Sequence, residues 1–204
     1  MPDETKITLS AEELLIVEDS NWVLTKQQII KKVYELFNAQ VPTIDQLFGN
    51  INDQLPADLL STMPKISRGE NYLNLPYVIL DYPSVFNKEN IFAFRTMFWW
   101  GNFFSITLHL SGHYKELYQQ AIGNNIQKKV EGGYYICVND KAWEHHFDAV
   151  NYVPAASFNA EELNSHLKRE EFLKIAVKID LSQWNDLQAV LPKAYKNVID
   201  LLGH

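Results

Sequence analysis

Residues 91–110 read IFAFRTMFWWGNFFSITLHL. Two β-rich runs, Ile91–Trp100 and Phe103–Leu110, flank the dipeptide Gly101-Asn102. Two turn-forming residues between two such runs predict an antiparallel hairpin. Seven of the thirteen residues from Phe92 to Phe104 are aromatic. The stretch 71–110 carries only four charges, Asp81, Lys88, Glu89 and Arg95. A hairpin this apolar is either covered on both faces, at the centre of a sheet, or presented to a partner. With Gly101-Asn102 as a two-residue loop, Trp100 faces Phe103, Phe98 faces Ser105 and Thr96 faces Thr107. Arg95 then falls beside Leu108, among apolar neighbours. A guanidinium stays charged at any ordinary pH, so burial there requires a carboxylate or several carbonyls around it. Asp81 is the natural candidate and Glu70 the second.

Outward from the hairpin, Tyr77–Tyr82 reads as a short strand closed by Pro83, and Tyr134–Val138 as another. Leu173, Ile175, Val177, Ile179 and Leu181 alternate with more polar residues, the pattern of a half-buried strand with Lys174 and Lys178 on a wet face. Capping boxes at Ser10–Glu13 and Thr25–Gln28 start two N-terminal helices, and Pro42 ends the second. Short helical pieces follow at 44–48 and 56–61. A helix is expected over Tyr114–Val130, stopped by Gly132-Gly133, and a short one around Trp143, His146, Phe147 and Val150. Asn159 caps the next helix, and Ser182 opens a closing helix that contains Pro192. The expected fold is α+β, a single domain over residues 1–204. A helical N-terminal segment, 1–62, packs on a mainly antiparallel sheet of about five strands in 70–204, with the stretch Pro64–Gly69 as a connection.

Composition narrows the function classes. Of 204 residues, 47% are hydrophobic and 13% aromatic, and the net charge is -7. An acidic chain is a poor match for nucleic acid or an anionic membrane. The start, Met1-Pro2-Asp3-Glu4, lacks the basic and apolar regions of a secretion signal. The most apolar run, Ile91–Leu110, is interrupted by Arg95, Gly101, Asn102 and His109, so no membrane-spanning helix is expected. A lone cysteine, Cys137, sits in an apolar strand as a buried structural thiol. Together these indicate a soluble, cytoplasmic protein.

No familiar catalytic or nucleotide-binding signature is present. His109 and His113 lie four apart across a Ser111-Gly112 turn, without the HExxH or CxxC partners of a metal centre, so no metal and no cofactor is expected. Adjacent His145 and His146 would point apart on a helix, and His166 sits on a charged helix facing water. The candidate site residues are Arg68 and Glu70 in a polar turn, Asp81 at the end of a strand, Arg95, His109, Trp99 and Trp100. Arg95 has two readings: an ion pair with Asp81 that fixes strand order, or a grip on an anionic ligand. The functional expectation is a non-catalytic domain that binds a small molecule or a protein partner, including a second copy, through the aromatic hairpin. The alternative is an enzyme with the Arg, Asp, Glu and His groups beside an aromatic-walled cleft.

Overall fold

The computed structural model describes residues 7–129 and 132–203. Met1–Glu4 and Val130 lie outside the described residues. The architecture is α+β, built on a seven-stranded sheet in which every pair is antiparallel. The strands are β1 (Lys65–Tyr72), β2 (Leu75–Phe86), β3 (Ile91–Trp99), β4 (Phe103–Ser111), β5 (Tyr134–Cys137), β6 (Tyr152–Pro154) and β7 (Phe172–Asp180), in the spatial order β1-β2-β3-β4-β7-β5-β6. The two strands beyond the expected five are the edges. β1 is polar and largely solvent-facing, without a two-residue alternation, and β6 has three residues, one of them proline. Edge strands need no apolar signal, because one side has no neighbour. So the stretch 65–72 is a strand, and the polar turn expected around Arg68 is part of it.

The central hairpin carries the largest correction. Trp99 pairs with Phe103, Phe98 with Phe104 and Arg95 with Thr107, so the loop is three residues, Trp100–Asn102. Gly101 supplies its positive φ of 71°. One extra loop residue turns every β4 side chain to the other face relative to the two-residue reading. The observed register separates chemistry. Phe92, Phe94, Phe98, Phe104, Ile106, Leu108 and Leu110 all belong to the main core. Arg95, Ser105, Thr107 and His109 lie on the opposite face. The two-residue register would have placed Ser105, Thr107 and His109 among phenylalanines, each polar group costing free energy to bury without a partner.

Six α-helices among the described residues accompany the sheet. They are α1 (Ala11–Glu18), α2 (Ser20–Gly49), α3 (Ala57–Leu60), α4 (Gly112–Lys128), α5 (Ala160–Arg169) and α6 (Leu187–Ile199), and α2, α4 and α6 cover its apolar face. From α2, Phe48 meets Phe92 and Phe94 edge-on, and Phe37 meets Phe104. From α4, Tyr114 and Tyr118 meet Phe92, and from α6, Tyr195 meets Phe94. The box at Ser10 and the N-cap at Asn159 form as expected, and Glu162 completes a box at Asn159 as well. Thr25 caps nothing, because Asp19 caps α2 six residues earlier. Nor does Pro42 end the helix. Val33, Phe37, Ile44 and Phe48 sit on one buried stripe across it, and that burial outweighs the roughly 3 kcal/mol an interior proline costs.

Further differences concern the other face. β2 continues past Pro83 through a bulge between Asp81 and Ser84, where a missing N–H disrupts nothing. β7 is central, between β4 and β5, and its Lys174 is buried. His166 is buried as well, its Nε2 2.9 Å from the Cys137 carbonyl. Asp180, not Ser182, caps the turn before α6, which itself begins at Leu187. Residues 138–151 form an irregular strap rather than a helix. Phe94→Ala should remove about 3–5 kcal/mol of stability, measured by urea unfolding with an unchanged slope, since its ring joins α2 and α6 to the sheet.

Candidate functional site

The face of the sheet away from α2, α4 and α6 is half apolar and half charged. Ile79, Met97, Trp99 and Phe103 form one buried cluster on it, and Cys137, Tyr152 and Ala176 another. Phe147 from the strap packs against both, edge-on to Phe103 and Tyr135 and stacked on Tyr152. The strap is also held by polar contacts. The Tyr72 hydroxyl accepts the backbone N–H groups of His145 and His146 and donates to Glu144 Oε2 at 3.0 Å. Lys174 Nζ donates to the Glu144 carbonyl at 2.6 Å.

Beside the strap is an open cleft of about 450 Å³. Ile79 and Met97 line it together with the aromatic side chains of Tyr72, Tyr77, Phe86 and Trp143; Lys65 and Ser67 of β1 also border it. Asp81, Arg95 and His145 complete the lining. Asp81 and Arg95 are opposite one another across β2 and β3, and the pairing is bidentate: Nε donates to Oδ1 at 2.7 Å and Nη2 to Oδ2 at 2.9 Å. The guanidinium carbon lies 5.7 Å from the Trp143 ring centre. Its Nη1 is 3.2 Å from His145 Nε2. Arginine only donates, so His145 accepts at Nε2 and carries its proton on Nδ1. Burial, with the nearby Lys174 and Arg95 charges, holds His145 well below the usual histidine range, which agrees with a neutral ring.

Two further buried groups stand near the cleft. His109 is 4% exposed, its ring meets Trp143 and Phe172, and its Nε2 has no hydrogen-bond partner among the described residues. Burial, then the Lys174 and Arg95 charges, push it down to about 3. Lys174 is 1% exposed and has no carboxylate within 4.0 Å among the described residues. Burial brings its ammonium down to about 8, with Arg95 adding to the effect and Cys137 and Glu144 opposing it. Burial raises the Cys137 thiol, which suits a structural role.

Of the residues singled out from sequence, the fold brings Asp81 and Arg95 together and disperses the rest. Trp99 is buried beside the cleft and donates Nε1–H to the Tyr72 carbonyl. Trp100 packs on Phe98 at the helical core instead. Glu70 pairs with Lys26 of α2 at 2.6 Å, so it is not the second partner of Arg95, and Arg68 is exposed on β1. His113 is exposed at the start of α4 and does not converge with His109. No group of three or more His, Cys, Asp or Glu side chains is placed to hold a metal ion among the described residues. Sequence reasoning missed Tyr72, Trp143, His145 and Lys174. Lys174 had one readable signal, its place in alternation with core residues of a strand whose neighbours are buried. Comparison with protein-family models, curated proteins and solved structures returns no match.

The Asp81–Arg95 pair and His109 each make a measurable demand. Arg95→Met leaves a buried carboxylate unpaired and should cost about 3–5 kcal/mol in urea unfolding, most of it recovered in the double variant Asp81→Asn/Arg95→Met. His109 titrates near 3 in the fold but near 6.5 when unfolded, so the native state binds fewer protons between those values. Stability is complete above about pH 6.5 and falls as pH drops toward 3. His109→Gln should flatten that acid limb in thermal melts taken across the same range.

Proposed function

We propose that the protein is a non-catalytic binder of a small, flat, aromatic or heteroaromatic molecule, held in the cleft beside Asp81 and Arg95. One observation carries the reading: an open cleft of about 450 Å³ with four aromatic side chains in its lining, beside a charge pair already neutralised within the protein. That volume is in the usual range for small-molecule sites. Tyr72, Tyr77, Phe86 and Trp143 offer ring surfaces for stacking, and Met97 a polarizable contact. With both Asp81 oxygens and two guanidinium nitrogens engaged with each other, neither side chain is left as a free base or anchor. His145 meets Arg95 through its acceptor nitrogen.

Enzymatic chemistry through the Arg, Asp, Glu and His set draws no support from this geometry, since Glu70 and Arg68 stand apart from the pair and His109, though near it, is buried and does not line the cleft. The reading also moves the partner surface off the hairpin, whose Trp99 is buried and whose Trp100 is half-buried. A reducing, cytoplasmic setting is part of the proposal, supported by the one cysteine being a buried free thiol. No described helix is long and apolar enough to cross a membrane.

Met97 is a convenient reporter, because the chain has three methionines and, among the described residues, Met97 alone of them lines the cleft. In protein carrying 13C-methyl methionine, indole-3-acetate and indole should shift the Met97 methyl signal while leaving exposed Met63 in place, with Kd near 1 mM for molecules of this size. Trp143→Ala should weaken both about ten-fold. Equal affinity for the two probes would assign binding to stacking, and tighter binding of the acid would add Lys65 to the recognition. A Met97 signal unmoved at about 5 mM of either probe would rule the site out.

A further inference from the structure

The least explained surface is the N-terminal arm of residues 7–25. Every residue of this arm is exposed. Nine of them are large and apolar: Ile7, Leu9, Leu14, Leu15, Ile16, Val17, Trp22, Val23 and Leu24. Leu14–Val17 are four in succession, so α1 is apolar on every side and buries nothing within its own chain. A helix of that kind is ordinarily enclosed. With roughly 100 Å² exposed on each large side chain, the arm presents about 900 Å², close to what one partner contributes to a stable interface.

Charge indicates the partner. Between Ile7 and Thr25 the only charged residues are Glu12, Glu13, Glu18 and Asp19, all acidic. The next charges along the chain are Lys26, Lys31 and Lys32. The two sets mirror one another about Trp22: the glutamates lie ten, nine and four residues before it, and the lysines four, nine and ten residues after it. Two copies related by a two-fold axis near Trp22, with their arms antiparallel, therefore set the acids of each against the lysines of the other. Lys26 is already engaged with Glu70 and Lys31 lies 3.7 Å from Glu35, whereas Lys32 has no acidic partner within 4.0 Å among the described residues. An anionic membrane is the wrong counterpart for an acidic arm.

We propose that the arm is a self-association surface, and that the protein forms a two-fold homodimer in which the apolar residues of two arms cover one another and Glu12 and Glu13 of each copy face Lys31 and Lys32 of the other. The pairing uses no residue that lines the cleft and does not depend on what binds there. Sedimentation velocity of the full chain between about 1 µM and about 100 µM should show a species of twice the chain mass. Leu15→Asp/Val17→Asp should raise the dissociation constant about 100-fold or more, with unchanged circular dichroism and thermal midpoint in dilute solution because neither side chain is buried. Glu12→Lys/Glu13→Lys and Lys31→Glu/Lys32→Glu should each be monomeric where the parent is dimeric, and an equimolar mixture of the two should dimerise again. A parent chain monomeric throughout, a dimer insensitive to Leu15→Asp/Val17→Asp, or a mixture that stays monomeric would each overturn the proposal. So would a chain that stays monomeric in solution yet binds vesicles of neutral phosphatidylcholine through the arm.

Discussion

The hydrogen-bonded alignment of β3 with β4 places Arg95 against Thr107 and Ala93 against His109, and the same alignment stacks Phe92, Phe94 and Phe98 with Phe104, Ile106, Leu108 and Leu110 on the reverse side. Everything built on the sheet inherits that division. The phenylalanine side gives α2, α4 and α6 a surface to bury, and edge-on ring contacts tie each helix to it. The other side cannot receive a helix with an apolar stripe, because Arg95, Thr107, His109 and Lys174 would be stranded beneath it. It is covered instead by a strap of irregular chain, whose free backbone groups meet the charges that a helix would leave unsatisfied.

That cover has an electrostatic logic. The two least exposed cations on that face of the sheet are Arg95 and Lys174. Asp81 answers the first through two hydrogen bonds, and the backbone carbonyl of Glu144 answers the second. Neutral His145 accepts from Arg95, and its position depends on the Tyr72 hydroxyl holding two consecutive strap N–H groups. Removing the positive charge from either cation changes what the strap has to hold on to. The cleft beside the strap is the space left where Phe86 and Trp143 approach each other without closing over Ile79 and Met97.

Much of the fold was legible locally. The β3–β4 hairpin, the alternating β7 strand, the box at Ser10 and the N-cap at Asn159 follow from spacing, and the Asp81–Arg95 pair is one of the two readings that the placement of Arg95 allowed. What escaped has a common cause. β1 and β6 lack an apolar pattern because edges have one neighbour, α2 runs through Pro42 because distant phenylalanines reward it, and Lys174 looked wet because alternation cannot tell a solvent face from a second interior. The length of the 100–102 loop escaped for a related reason. Both two and three residues make a hairpin locally, and only the cost of burying Ser105, Thr107 and His109 among rings decides between them.

The aromatic, charge-poor stretch 91–110 by itself determined that this chain would make an antiparallel hairpin, with one arginine whose charge had to be answered wherever it was buried. Strand propensity and charge burial are properties of near neighbours, so a reader of the sequence can evaluate them. Which side of β4 faces the helices, what covers the other side and where a cleft remains open were decided only in the tertiary structure. Those outcomes turn on a one-residue difference in a loop and on contacts between groups more than forty residues apart, such as Tyr72 with Glu144 and Arg95 with His145. Their free energies exist only once the sheet has brought the partners together.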